Sequence, residues 1–235
     1  MKNRIRPLDA WRALARLVRN PDETKHVFDL IDALSGNSGE RMLRRFQTTD
    51  NGRRILAAKR ELLPVLSDRE RLLALPVGSL GRTYADFMSR EQITADGLVQ
   101  ASMEGGRANA ELSPERQVIG LRLRDSHDLW HVVTGYGRDL VGEACVLAVT
   151  YAQTRNRGIG AIVAMAWWKA GREMPSARTA IRDAYRRGKR AAWLPALEWE
   201  ELLAKPLAQV REELGFGEPP VYEAMRSSGA PVLAS

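Results

Sequence analysis

Cysteine occurs once in the 235 residues, at Cys145. A lone cysteine excludes an internal disulfide and a cysteine-built zinc cluster, and its place in an apolar run marks it as a small hydrophobe. Histidine is nearly as scarce, with three residues, so any metal site must be assembled from imidazole and carboxylate. Long apolar runs are missing too. The longest, Leu140 to Ala152 and Ile159 to Ala170, fall short of the roughly 20 residues a membrane span needs, and two arginines stand between them. Both read as buried core helices. No basic, then apolar, then small-residue leader opens the chain, because Met1 to Arg6 lead straight into amphipathic Leu8 to Val18, so a cytosolic protein is expected. No run of alternating β-branched residues marks a strand ladder, and no repeat or low-complexity block is found.

What is present is a globular mixture, 44% apolar and 28% charged, long enough for one sizeable core. Residues 1–235 are read as one all-α domain. The net charge of +7 comes mainly from arginines scattered on helices and by itself does not separate nucleic acid, anionic membrane or no specific partner. Helices are expected from Asn20-Pro21 to Gly36, over Glu40 to Phe46, and from Thr49 or Asp50 towards Leu63, where Pro64 interrupts. Ser67 with Glu70 has the pattern of a capping box. After the punctuation Leu75-Pro76-Val77-Gly78-Ser79-Leu80-Gly81, helices are expected at Gly81 to Arg90, Ala95 to Met103 and Pro114 to Thr134, the last capped by Ser113. Further helices fall near Asp139 to Arg155, Ile159 to Gly171, Ser176 to Arg187, Trp199 to Leu203 and Pro206 to Leu214. The tail from Glu218 to Ser235 reads as loose or laid along the surface.

Chemistry concentrates in His127-Asp128-Leu129-Trp130-His131. Four positions on an α-helix correspond to about 40° of rotation and about 6 Å of rise, so the two imidazoles share a face. Asp128 lies about 60° from His131 on the same turn, so its carboxylate can reach the same ion or hydrogen-bond a ligand. Glu143 comes too far along for the same helix, but Gly135-Tyr136-Gly137 terminates that helix and allows an antiparallel neighbour to present it. Glu143 is also the only charge between Leu140 and Ala152, where an ionised carboxylate would cost several kcal/mol unless paired with something positive. One divalent ion held by His127, Asp128, His131 and Glu143 satisfies all four. The donor set suits zinc, iron, manganese or cobalt. His26, with no acidic cluster beside it, reads as structural.

These residues bear a resemblance. His127-Asp128-x-x-His131, Gly135 and Gly142-Glu143 are similar to the signature of the coenzyme Q biosynthesis protein 4 family. Leu34-Ser35-Gly36, Arg44-Arg45-Phe46, the Leu75 to Gly81 segment with Tyr84 and Phe87, and Trp199-Glu200-Glu201-Leu202-Leu203 extend the likeness in order over about residues 20–215. The resemblance implies an all-helical fold, the four motif residues as metal ligands, and a prenylated aromatic lipid as ligand. It further implies oxidative exchange of a ring carboxyl for a hydroxyl, or a scaffold role among other quinone-biosynthesis enzymes. The lack of a mitochondrial leader fits a bacterial relative.

Trp167, Trp168 and the two apolar helices could line a tunnel for a prenyl tail, against ordinary core packing. Arg178, Arg182, Arg186, Arg187, Lys189 and Arg190 form a basic stretch that could give peripheral contact with anionic lipid, against a solvated face. A homo-oligomer is left open. Nucleic acid is not expected, because no base-reading motif accompanies the charge.

Overall fold

The computed structural model describes residues 5–19, 24–92 and 112–225, without the side chains of residues 7, 14, 17–19, 24–28, 32 and 173. The expected helix at Ala95 to Met103, the Asn20-Pro21 cap and the His26 side chain lie outside the described residues. All regular structure among the described residues is helical, apart from one isolated antiparallel bridge between Ser79 and Pro206. The all-α expectation holds. No helix among the described residues is long and apolar enough to cross a membrane.

The core is organised around the Leu140–Thr154 helix, whose side chains Val141, Cys145, Val146, Ala148 and Val149 are all buried. It packs against Pro175–Arg190, against Arg157–Glu173 and against His127–Thr134. At Gly188 a Cβ would come within 2.9 Å of the Val149 backbone, so the absence of a side chain is what lets these two helices approach. Gln153, buried in the same helix, is fully used. It donates to the Gly188 carbonyl at 2.6 Å and accepts from the Leu194 amide at 3.0 Å, anchoring the chain as it leaves the Pro175–Arg190 helix. A smaller cluster joins Ala10 and Ala13 of Pro7–Arg19 to Leu30 and Ala33 of Thr24–Ser35 and to Ile162.

Several boundaries differ from expectation for local reasons. The helix expected to reach Leu63 ends at Ala58, because Lys59 takes a left-handed conformation with φ 48°. Pro64 then sits in the first turn of Leu63–Ser67, where its missing N–H has no cost. Asp68 caps the next helix by accepting from the Arg71 amide at 3.0 Å, so the Ser67–Glu70 capping box does not form. The single helix expected over Pro114 to Thr134 is two, Pro114–Asp125 and His127–Thr134. The break is one residue wide: Ser126 keeps right-handed backbone with φ −81° and ψ −4°, and its amide and carbonyl still bond to Arg122 and Trp130 at 2.9 and 3.1 Å.

The Leu75 to Gly81 punctuation joins distant parts of the chain. Ser79 caps Leu80–Arg90, the Leu80 and Gly81 amides donate to the Lys205 and Leu203 carbonyls, and the Leu207 amide donates to Gly78.

Cys145 is wholly buried, and burial pushes its thiol well above the ordinary range. Thiolate, not thiol, is the reactive form. Native protein is therefore expected to stay unlabelled by a thiol reagent at pH 8 and to label with one equivalent in denaturant; fast native labelling would contradict this packing.

Candidate metal centre

His127, Asp128 and His131 come together as the helical spacing requires. One ligand atom from each lies within 4.8 Å of the others, and the two imidazole centroids are 4.9 Å apart. Tetrahedral zinc with ligands near 2.1 Å needs donors about 3.4 Å apart, closer than the 4.8 Å within which these atoms lie, so binding would draw them together. The triad lies between adjacent core helices. Leu80–Arg90 packs on one side, with Phe87 stacked on the His131 ring at 5.9 Å, and Leu140–Thr154 presents Glu143 on the other.

Satisfaction of hydrogen bonds shows what these atoms are set up to do. Asp128 is 1% exposed, yet both of its carboxylate oxygens lack a hydrogen-bond partner, as do buried His127 Nδ1 and His131 Nε2. Buried polar atoms are nearly always paired; here the nearest approaches are His127 Nδ1 to Asp128 Oδ1 at 3.5 Å and His131 Nε2 to Glu143 Oε2 at 3.4 Å, and a buried cluster of ligand atoms held together only by such long contacts fits a cation. The opposite edge of His131 is occupied: Nδ1–H donates to the Tyr136 carbonyl at 3.0 Å and the Gly137 carbonyl at 3.1 Å. That bond holds a proton on Nδ1, so Nε2 is the nitrogen that turns to the cluster and offers its lone pair once unprotonated, the usual arrangement for a metal-ligating imidazole.

The turn that accepts this bond is itself held. Gly135 takes φ +80°, a left-handed conformation natural to glycine. Arg211 donates to the Val132 and Val133 carbonyls at 2.8 and 3.1 Å, and Arg187 donates to the Thr134 carbonyl at 2.9 Å. Two guanidinium groups thus satisfy the free carbonyls at the end of the motif helix, where positive charge is favoured.

Glu143 Oε2 lies 3.4 Å from His131 Nε2 and 4.0 Å from His127 Nε2. Glu143 departs from its sequence expectation. The carboxylate is not stranded in apolar surroundings, because its side chain is 32% exposed and Arg138 Nε stands 3.4 Å away. Its charge is therefore partly compensated before any ion is considered. Burial alone would raise the Glu143 carboxyl, but His131, His127 and Arg138 outweigh it and hold the group at about 2. Burial likewise would lower the His131 imidazole, yet Glu143, Asp128 and the Tyr136 carbonyl raise it above its ordinary value of 6.5.

The sign of the pH effect follows. Below its raised pKa, His131 carries a proton on Nε2 that a metal must displace. Affinity for zinc is expected to fall about tenfold per pH unit on acidification, starting above pH 6.5. Calorimetric titrations between pH 5 and 8 check this, and a flat profile would rule out His131 as a ligand.

A cleft of about 730 Å³ reaches His131 from the side of its turn, with Arg69, Arg82, Arg90 and Arg211 in its walls, Asp86 as its one acid, and Leu73, Phe87, Val132, Tyr136 and Pro219 supplying apolar surface. The apolar helices expected to line a tail tunnel contribute nothing to this cleft. Trp167 and Trp168 are 38% and 58% exposed and carry Arg178 and Arg172 stacked on their rings at 3.5 and 4.6 Å. The basic stretch is divided in use as well: Arg182 and Arg186 share Asp183 on the surface, while Arg187 is engaged with backbone carbonyls.

Sequence reasoning missed Arg138, Asp139 and Tyr222. Asp139 caps the Glu143 helix by accepting from the Val141 and Gly142 amides, and the Tyr222 hydroxyl donates to it at 2.6 Å. Asp139 carried the signal of an acid ahead of an apolar run; Tyr222, 83 residues away, carried none.

Comparison with known proteins agrees with this geometry. Residues 8–220 match the family described as coenzyme Q (ubiquinone) biosynthesis protein Coq4. The mitochondrial ubiquinone biosynthesis protein COQ4 of Yarrowia lipolytica is 28% identical over 186 residues, covering 76% of this chain and 66% of that protein, so the chain spans slightly less than two thirds of that relative's length. The mitochondrial COQ4 homolog of Drosophila ananassae is 29% identical over 218 residues, covering 89% and 76%. A crystal structure of a Nostoc punctiforme protein assigned to ubiquinone biosynthesis superposes with a TM-score of 0.68 at 21% identity, over 91% of this chain and 98% of that one, and so shares the fold. With the match running through nearly all of the described helices and across the metal triad, the chain belongs to the Coq4 family of ubiquinone biosynthesis proteins.

Proposed function

We propose that this chain is a metal-dependent enzyme of ubiquinone biosynthesis that replaces the ring carboxyl of a prenylated aromatic precursor by a hydroxyl. The observation that carries the reading is the buried, unpartnered donor cluster of His127, Asp128 and His131 beside an arginine-lined cleft that His131 helps to form. The names of the relatives supply the pathway.

The conversion breaks the bond between ring carbon and carboxyl, releases carbon dioxide and forms a bond to one oxygen atom of dioxygen. The other oxygen atom leaves as water, with two protons and two electrons from a donor of the reduced nicotinamide or flavin class. A divalent ion held by His127, Asp128 and His131, with Glu143 as fourth ligand, would supply Lewis-acid stabilisation of carboxylate or phenolate charge, and iron, unlike zinc, would add redox chemistry.

The chain's own residues do the rest. Arg69 and Arg90 add positive charge to the cleft wall, which favours an anionic head group, while Arg82 is paired with Asp86 and Arg211 with the Val132 and Val133 carbonyls. Phe87, Tyr136 and Pro219 give the ring an apolar seat and exclude water. Glu143, ionised down to about pH 2, has no proton to give at neutral pH, so it serves as ligand or base and not as acid.

A second reading rests on the surface. Exposed Trp11, Trp167 and Trp168 are the kind of residue that anchors a partner, which supports a scaffold or prenyl-lipid-binding protein organising the other quinone-biosynthesis enzymes. Incubating the metal-loaded chain with a prenylated 4-hydroxybenzoate, an electron donor and isotopically labelled dioxygen separates the two. A hydroxylated, decarboxylated product carrying the label supports the enzyme. Substrate bound by fully loaded protein without product would leave the scaffold.

A further inference from the structure

The segment from Glu218 was read as loose or laid along the surface, and its described part is tied to both halves of the metal centre. The Tyr222 hydroxyl donates to Asp139 Oδ2 at 2.6 Å and accepts from the Gly137 amide at 2.8 Å. The Met225 amide donates to Asp139 Oδ1 at 3.0 Å, and the Leu140 amide donates to the Met225 carbonyl at 2.7 Å. Pro219 lies so close to Gly135 that a Cβ there would meet it at 2.8 Å, and Arg187 donates to the Glu218 carbonyl at 3.2 Å.

The contacts to Gly137 and Asp139 end one hydrogen bond from a candidate ligand residue. Gly137 is the residue whose carbonyl accepts from His131 Nδ1, and Asp139 is the cap that starts the helix bearing Glu143. The Tyr222 ring, packed on Tyr136 at 5.5 Å between centroids, sets the position of the other carbonyl accepting from His131.

We propose that residues 218–225 form a strap that positions the metal ligands, with Tyr222 as its positioning residue. The proposal rests on the metal-centre reading. The strap holds the turn at Tyr136 and Gly137 against the imidazole, and the Asp139 cap against the turn, so that His131 Nε2 and the Glu143 carboxylate converge. Partners that orient a ligand typically contribute 10- to 100-fold to metal affinity.

The test uses the full chain and Co²⁺, whose visible absorption reports ligand geometry. Tyr222→Phe keeps the ring and removes only the hydroxyl. It is expected to weaken Co²⁺ binding about tenfold and to shift the absorption bands, with helical circular dichroism unchanged. A second measurement needs no variant. Coupling between two sites is reciprocal, so Co²⁺ bound to wild type must slow hydrogen exchange at the Gly137, Leu140 and Met225 amides. Wild type that binds Co²⁺ with these amides unaffected, or Tyr222→Phe with unchanged affinity and spectrum, overturns the strap while leaving the metal centre standing. Wild type that takes up no Co²⁺ overturns the metal centre, and the strap falls with it.

Discussion

Replacement of His131 by alanine is expected to lower affinity for zinc by at least about 100-fold, beyond the 10- to 100-fold that loss of a ligand's outer partner costs. Three features place the largest effect here. His131 is 1% exposed, its Nδ1–H is committed to two backbone carbonyls, and its free nitrogen faces the unpartnered Asp128 carboxylate and the Glu143 side chain. Asp128→Asn keeps shape but removes the charge that draws a cation into a buried site, and a loss of similar order is expected. His26→Ala serves as control. Competition titration against a chromophoric chelator reads all three, and an His131→Ala protein that binds as tightly as wild type would contradict the assignment.

The largest effect on stability is expected away from the metal. Arg122, 1% exposed, makes a two-pronged pair with Glu200 at 2.7 and 3.0 Å and also donates to the Leu197 carbonyl at 3.0 Å. Burial would raise Glu200, but the hydrogen bond from Arg122 lowers it below its ordinary value. The carboxylate therefore stabilises the fold above its unfolded pKa and loses that contribution as pH falls through its depressed folded pKa. Glu200→Ala removes the two-pronged partner of a buried guanidinium and leaves it the Leu197 and Arg60 carbonyls and the Glu198 charge; loss of one partner of a buried pair typically costs 3–5 kcal/mol. For a chain of this size that corresponds to a melting point lower by about 6–20 °C. Glu201→Ala provides the contrast: that side chain is 65% exposed and lies 3.8 Å from Arg60, so a shift within about 2 °C is expected. Equal shifts in the two variants would show that the buried pair is not what holds these segments together.

Much of the site was legible because it is local. Two histidines four apart, an aspartate between them and a glycine-bounded turn after them are properties of one short segment, and helix geometry alone puts three donors on one face. The caps at Ser79, Ser113 and Asp139 act on amides two or three residues away, and of the three Ser113 was read as a cap. Glu143 was found from its isolation in an apolar run, though that argument overlooked Arg138 and the open side of the pocket.

What escaped depends on chain segments far apart. Nothing near Arg122 announces that Glu200 will meet it 78 residues later, and nothing near Tyr222 announces Asp139. The break at Ser126 was missed because helical periodicity and right-handed backbone both continue through it. Trp167 and Trp168 sit in an apolar stretch that reads as core, yet helix packing leaves their faces to Arg178 and Arg172.

The central claim is a mononuclear centre of two imidazoles with carboxylate oxygens. X-ray absorption at the zinc edge, on wild-type protein loaded with one equivalent and desalted, tests it most directly. The expected result is one zinc per chain in a shell of about four nitrogen and oxygen atoms near 2.0–2.1 Å, with the outer-shell scattering of two imidazoles and no sulfur. Zinc lost on desalting, or a shell without imidazole, would contradict the account.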